Sequence, residues 1–221
     1  MKSKVYSFYN RVVKRVIDII CSFLAIVFLS PLYIPVCIIV KCTSPGPVFF
    51  KQKRIGKDKK TFNILKFRTM RIDTPKDCPT HLLENPDQYI TKVGKFLRKT
   101  SLDELPQIFN IFVGQMSVIG PRPSLWNQDD LIAERDKFGI NALRPGLTGW
   151  AQTNGRDELP IPVKVQMDKV YYDNLSFTFD LKCFFKTIVS VFKSDGVVEG
   201  GTGQMTEDEI SEKVENLNKT Q

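Results

Sequence analysis

The sequence predicts an α+β protein held in a membrane near its N-terminus, and three observations carry that prediction. From Ile19 to Val40 run 22 residues without a charge, and about 20 apolar residues span a bilayer as a helix. Both flanks are basic: residues 1–15 carry Lys2, Lys4, Arg11, Lys14 and Arg15 with no acid, and residues 41–71 carry ten basic residues against Asp58 alone. Beyond the run, a short strand-turn-strand pattern gives way to segments of helical periodicity.

The apolar run, IICSFLAIVFLSPLYIPVCIIV, is longer than a usual secretory h-region, and no small-x-small cleavage site precedes Lys41. It is therefore read as retained in the membrane. A straight helix would leave the two flanks on opposite sides, whereas the positive-inside tendency puts both in the cytoplasm. Ser30, Pro31 and Pro35 lie in the middle of the run, where each proline removes an intrahelical hydrogen bond and pushes on the preceding turn. A helix bent there enters and leaves by the same leaflet; a spanning helix with a tolerated proline kink is the other reading. Asp18, at headgroup depth, can pair with Lys14 or Arg15 and so avoid standing as a lone charge in hydrocarbon.

Residues 43–48, TSPGPV, punctuate the chain. VFFKQKRIG and TFNILKFRTM follow as a hairpin turning at Gly56–Asp58, with Phe62, Ile64 and Phe67 as its apolar set. Its basic residues suit either solvent or the phosphates of a nearby lipid surface. Residues 73–90 hold Pro75, Pro79 and Pro86 and read as a loop. The stretch 91–116 contains two helical pieces, the second starting at Thr100 or Ser101, where Ser101 and Glu104 match a capping box. GPRP at 120–123 is rigid, 125–138 is helical, and LRPGLTGWAQTNGR at 143–156 is a glycine and proline loop. Residues 160–175 form a helix after Pro162. Leu181, Phe184, Phe185, Ile188, Val189 and Phe192 then make a helical stripe edged by Lys182, Lys186 and Lys193, which suits a core helix and an interfacial one equally. In the tail, Thr206 and Glu209 offer a cap for a short terminal helix. The segments are thus 1–42, a basic stretch and membrane helix; 43–195, the main domain; and 196–221, a tail.

Charged residues at 25% and hydrophobic ones at 42% exclude wholesale disorder and a polytopic transporter. Five cysteines without a CxxC spacing and the single His81 argue against a disulfide framework, a zinc site and a hydrolytic triad. The net charge of +8 is local, and no nucleic-acid-binding motif accompanies it. What remains is carboxylate plus arginine. Asp103 and Glu104 are adjacent, and Arg98, Arg122, Arg144 and Arg156 come from turn-like segments. Arginine's planar fork donates two hydrogen bonds to adjacent phosphate oxygens, and a carboxylate can hold magnesium on a phosphate. The structural alternative is that Glu104 caps a helix and Asp103 favours its positive end. A non-enzymatic anchor recruiting anionic lipid through residues 41–71 is a second functional class.

KFLRKTSLDELPQIFNIFVGQMSVIGPRP at 95–123, RPGLTGWAQTNGR at 144–156, KRVIDIICSFLAIVFLSPLYIPV at the N-terminus and KFRTM at 66–70 together resemble the bacterial sugar transferases. These are the monotopic phosphoglycosyl transferases, and the chain looks like their short members, from about residue 11 to about residue 195. The resemblance implies a monotopic fold: a re-entrant helix bent at Ser30 and Pro31, a small hairpin, and a mainly helical catalytic domain with amphipathic interfacial helices, facing the cytoplasm from the bacterial inner membrane. It implies transfer of a sugar-1-phosphate from a UDP-sugar to undecaprenyl phosphate with release of UMP. Asp103 is then the nucleophile and a ligand of the Mg2+ cofactor, with Glu104 beside it. Arg98, Arg122, Arg144 and Arg156 bind phosphate, Thr148 and Asn154 play lesser roles, and Lys14, Arg15 and Asp18 form a membrane-surface anchor near the lipid phosphate. The expected partners are the donor, the acceptor and anionic membrane lipid, with no nucleic acid and a homo-oligomer left open.

Overall fold

The computed structural model describes residues 7–74, 88–154 and 159–193. A π-helical turn, Tyr9–Val13, runs into helix α1, Lys14–Thr43. The hairpin follows as β1, Phe49–Ile55, and β2, Thr61–Phe67, antiparallel with Phe49 opposite Phe67 and Ile55 opposite Thr61. Then come α2, Lys92–Lys99; α3, Gln107–Phe112; β3, Ser117–Ile119; α4, Asp129–Asp136; β4, Gly146–Thr148; α5, Ile161–Asp173; and α6, Phe177–Lys193. Strands β3 and β4 pair in parallel. The α+β class, the hairpin and the mainly helical body are those expected from the sequence. The helix expected over 125–138 is shorter, since only Asp129–Asp136 is helical. The tail with Thr206 and Glu209, the prolines at 75, 79 and 86, and Arg156 lie outside the described residues.

Helix α1 runs unbroken through Ser30, Pro31 and Pro35. Pro31 has no N–H to give the carbonyl of Val27, and the Ser30 hydroxyl donates to that same carbonyl at 2.8 Å, so the group freed by proline is satisfied one residue earlier. The bend expected at Ser30 and Pro31 therefore falls inside a continuous helix, where the ladder lacks the bonds of Pro31 and Pro35 but the chain stays helical on both sides. The helix from Tyr9 to Thr43 is long and apolar enough to cross a membrane, and Val16, Ile20, Phe23, Phe28, Ile34 and Ile38 are exposed on it.

Both halves of α1 dock on one body. In the first half, Arg15 donates to the carbonyls of Ile111 and Phe112 at 2.7 and 2.8 Å. Asp18 accepts from Ser117 Oγ at 3.0 Å and from the Val118 N–H at 2.9 Å. In the second half, the Tyr33 hydroxyl donates to the Leu105 carbonyl at 2.7 Å, and Val36 and Val40 pack with Phe67 and Leu97. Arg68 then ties the C-terminal end by donating to the carbonyls of Val40 and Ser44 at 3.2 and 2.6 Å.

Strand alternation decides what the hairpin presents. Phe62 and Ile64 are buried against Ile111 and Met116, and with a period of two the next residue on that face is Lys66. Phe67, on the opposite face, packs against α1 and α2. The outer edge of β2 is paired by a side chain: Asn110 of α3 accepts from the Leu65 N–H at 3.0 Å and donates to the Asn63 carbonyl at 2.9 Å. Helix α2 approaches the chain after β2 closely enough that a Cβ on Gly94 would lie 2.0 Å from the Thr69 carbonyl.

On α6 the apolar stripe faces outward. Leu181, Phe184, Phe185, Ile188 and Val189 are exposed, while Asp180 and Cys183 are buried. The core-helix reading of this stripe is therefore overturned: the inward face carries Asp180, which accepts from Tyr171 at 2.7 Å and from Tyr9 and Lys14 at 2.5 Å each.

Candidate active site

The chain between α2 and α3 folds locally to present two carboxylates. Thr91 caps helix α2, its side chain accepting from the Gly94 N–H, and after Lys99 and the C-cap Thr100 comes Ser101, whose φ of 56° is left-handed. A single 3-10 turn, Leu102–Glu104, follows, and Pro106 opens α3. The capping box expected from Ser101 and Glu104 does not form. An N-cap needs extended backbone, and Ser101 makes no side-chain cap hydrogen bond.

Glu104 is turned instead toward cations. Its Oε1 accepts from Lys66 Nζ at 2.6 Å and from Arg122 Nη2 at 3.0 Å. Asp103 is buried, at 7% exposure, and its Oδ2 lies 4.0 Å from Lys66 Nζ. Arg98, fixed by a 2.9 Å hydrogen bond from its Nε to Thr69 Oγ1, is within electrostatic reach of Asp103. The two acids titrate in opposite directions. Burial pushes Glu104 up, but Arg122 and Lys66 outweigh it and hold its carboxyl well below the usual carboxylate range. Burial also lifts Asp103, and with Glu104 adding to the lift, the pull of Lys66, Arg98 and Arg122 does not cancel it. The two neighbouring carboxylates are thus unequal: Glu104 clamps two cations, and Asp103 is more basic and less tied.

The turn bearing Arg122 is held from outside. Prolines at 121 and 123 leave it few donors of its own. The Gly146 N–H donates to the Pro121 carbonyl at 2.9 Å, Arg135 Nη1 to Arg122 at 2.9 Å, Arg54 Nη1 to Pro123 at 3.0 Å, and the Ile55 N–H to Ser124 at 3.0 Å. Arg135 is buried and paired with Asp168, whose Oδ2 accepts from its Nε at 3.0 Å and its Nη2 at 2.6 Å.

Of the site residues expected from sequence, the structure thus gathers Asp103, Glu104, Arg98 and Arg122. Arg144 lies at the other end of α3, its Nε donating to the Gly114 carbonyl at 3.2 Å, within electrostatic reach of Arg15. Thr148 shares a 2.8 Å hydrogen bond with Thr187 of α6. Asn154 donates to the Trp150 carbonyl at 2.6 Å and accepts from Lys186, whose ammonium stands 4.3 Å from the Trp150 ring centroid. Burial, aided by Lys182, lowers the Lys186 pKa. The expected surface roles of Lys14 and Asp18 meet a different placement. Both are buried, with Lys14 on Asp180 and Asp18 on β3, and each is paired or hydrogen-bonded there, as a buried charge must be.

Sequence reasoning missed Lys66, Arg135 and Asp168. Extending the Phe62, Ile64 alternation by one step finds Lys66. No local signal marks Arg135 and Asp168, which meet across 33 residues of chain. Outside this site, Gln152 is 8% exposed, and neither its Oε1 nor its Nε2 has a hydrogen-bond partner.

The family model described as bacterial sugar transferase matches residues 9–194. The chain is 38% identical over 190 residues to the UDP-glucose:undecaprenyl-phosphate glucose-1-phosphate transferase of Escherichia coli (strain K12), covering 83% of this chain and 41% of that protein. It is 36% identical over 201 residues to the UDP-N-acetylgalactosamine-undecaprenyl-phosphate N-acetylgalactosaminephosphotransferase of Aeromonas hydrophila, covering 89% of this chain and 46% of that one. The chain thus spans less than half the length of these two relatives. It spans more of the exopolysaccharide production protein ExoY of Sinorhizobium fredii (strain NBRC 101917 / NGR234), 38% identical over 197 residues, with 83% of this chain and 87% of that protein covered.

Proposed function

The chain belongs to the bacterial sugar transferase family, and from that membership we propose that it transfers a sugar-1-phosphate from a UDP-sugar to undecaprenyl phosphate through a covalent intermediate on Asp103. The observation that carries this reading is the division of labour in the acidic pair: Glu104 is clamped by Lys66 and Arg122, while Asp103 is more basic and has its nearest cation at 4.0 Å. In the first step an Asp103 carboxylate oxygen bonds to the phosphorus that carries the sugar, and the bond from that phosphorus to UMP breaks. In the second, a phosphate oxygen of the lipid attacks the same phosphorus, the bond to Asp103 breaks, and the undecaprenyl diphosphate sugar departs. Splitting the transfer lets one cation-lined site handle two anionic substrates in turn. Lys66, Arg98 and Arg122 neutralise the phosphate oxygens, and Glu104 keeps Lys66 and Arg122 in place between turnovers.

Among the described residues no group of three or more His, Cys, Asp or Glu side chains could hold a metal by itself. That donor set still fits magnesium, which is commonly held by one or two carboxylates together with substrate phosphates and water. With Glu104 engaged by two cations, Asp103 is the carboxylate that would hold the ion. When bound, Mg2+ supplies charge neutralisation at the phosphate oxygens.

The reading extends to topology. Helix α1 touches one body through Arg15 and Asp18 in its first half and through Tyr33, Val36 and Val40 in its second, which supports a re-entrant helix with both basic flanks on the cytoplasmic side of the inner membrane. The exposed apolar stripe of α6 and the exposed Phe109 and Phe112 of α3, with Val113 just after it, support helices lying at the interface, where such surface avoids water.

Purified protein with magnesium, undecaprenyl phosphate and a panel of UDP-sugars should release UMP with one donor and only with the lipid present. With the lipid withheld, mass spectrometry should find a sugar phosphate on the peptide bearing Asp103. Wild-type turnover by Asp103→Asn, or an adduct on another residue, would sink the proposal. Cysteines placed at Lys2 and Lys60 in a cysteine-free background should label from the same side of the membrane; opposite sides would mean a spanning helix.

A further inference from the structure

We infer that Arg135, which lies outside the acidic pair and its cations, is a positioning residue for the transfer: it uses its full fork to hold the Arg122 main chain so that the Arg122 side chain meets Glu104. The inference rests on the transfer reading above for its kinetic consequence, and on geometry alone for its structural one.

Three donors of one guanidinium are committed. Nε and Nη2 both reach Asp168 Oδ2, at 3.0 and 2.6 Å, and Nη1 reaches the Arg122 carbonyl at 2.9 Å. The Arg135 and Asp168 side chains are 5% and 2% exposed, so water is a poor substitute for either partner. Asp168 on α5 orients the guanidinium, and α4 carries it to the turn. The residue whose carbonyl is gripped is the one whose guanidinium Nη2 stands 3.0 Å from Glu104 Oε1. Flanked by Pro121 and Pro123, Arg122 sits in a turn with a limited set of backbone donors, so an external grip on its carbonyl fixes the peptide plane from which its side chain departs. A buried ion pair is weak evidence for stability as such. A third hydrogen bond aimed at the turn that bears a site residue gives this pair a specific task.

Arg135→Lys separates the task from the fold. A lysine can keep the charge and pair with Asp168, but as a point donor on a flexible stem it lacks the planar fork that serves Asp168 and Arg122 together. We expect Arg135→Lys to melt within a few degrees of wild type and to lose between about ten- and a hundredfold in kcat, the scale of a small misplacement. Because the effect travels through Arg122, adding Arg135→Lys to Arg122→Ala should cause less than about a twofold further loss. Hydrogen exchange at the peptide covering 120–124 should speed up in Arg135→Lys by about tenfold or more, whatever the turnover. Should the lysine variant fail to fold, Asp168→Asn keeps the acceptor oxygen while removing its charge, and should show the same exchange and kcat changes in weaker form. Wild-type kcat and exchange in either folded variant would overturn the inference, as would a full independent loss from Arg135→Lys in the Arg122→Ala background. Faster exchange in a protein that turns over no donor even as wild type would refute the transfer reading and leave the positioning role standing.

Discussion

Replacing Asp103 by Asn should abolish turnover and raise stability at neutral pH. Asp103 is buried, its side chain 11% exposed, and its Oδ2 stands 4.0 Å from Lys66 Nζ, a Coulomb attraction of about 4 kcal/mol at an effective dielectric of 20. That attraction is shared, since the same ammonium lies 2.6 Å from Glu104, and the adjacent Glu104 charge repels Asp103. Desolvation outweighs what is left, which is why the Asp103 pKa is raised. The balance is a net penalty on the charged form, and a single stabilising substitution contributes about 1–2 kcal/mol. For a chain of this length that is a rise of about 2–8 °C in melting temperature. The sign with pH follows from linkage. A carboxyl whose folded pKa lies above its unfolded one lowers stability as pH rises from the unfolded pKa through the folded pKa, and the penalty is complete above the folded value. The advantage of Asn over Asp should therefore be largest near neutrality and shrink as pH falls toward the ordinary carboxylate range. The assay is thermal unfolding of both proteins in detergent and magnesium-free buffer across that range, beside UMP release. A dead variant that also melts lower would refute the reasoning, because it would make Asp103 a structural ligand of its neighbours.

Glu104→Gln keeps an acceptor but removes the charge that holds Lys66 and Arg122; kcat should fall by about tenfold or more, from about 1 kcal/mol lost in each charge-assisted hydrogen bond, and an unchanged kcat in steady-state kinetics would count against the clamp. Asp18→Ala strands the Ser117 hydroxyl and the Val118 N–H, at about 1–3 kcal/mol each, while Asp18→Asn keeps an acceptor and should cost about half as much by the same thermal assay. Gly94→Ala places a Cβ 2.0 Å from the Thr69 carbonyl, which must push α2 away from that chain and carry Arg98 off Thr69; folded yield and activity should both fall sharply, and a normal melting curve would show that α2 has slack.

Several features were legible in the sequence because they depend on neighbours along the chain. The uncharged run Ile19 to Val40 has to be a helix wherever water is absent, since only a helix satisfies its own backbone there. The alternation of Phe62 and Ile64 and the turn at Gly56 specify a hairpin, and the adjacency of Asp103 and Glu104 survives any fold. Four arginines, at 98, 122, 144 and 156, were legible as candidate phosphate ligands by type and setting; the structure brings Arg98 and Arg122 to the acidic pair and holds Arg144 on the Gly114 carbonyl instead.

Tertiary structure alone decided which partner each polar group takes. Glu104 could cap a helix or clamp cations, and the choice fell to Lys66, 38 residues away, and Arg122, 18 residues away. Lys14 and Asp18 could face lipid phosphate or protein, and they were claimed by Asp180 and by β3, 166 and about 100 residues on. The stripe on α6 could pack in a core or face outward, and the buried Asp180 on its other face, held by Tyr9, Lys14 and Tyr171, turned it out. A hydrogen bond is worth making only where its donor and acceptor leave water together. That depends on what the fold brings alongside, which no spacing along the chain records.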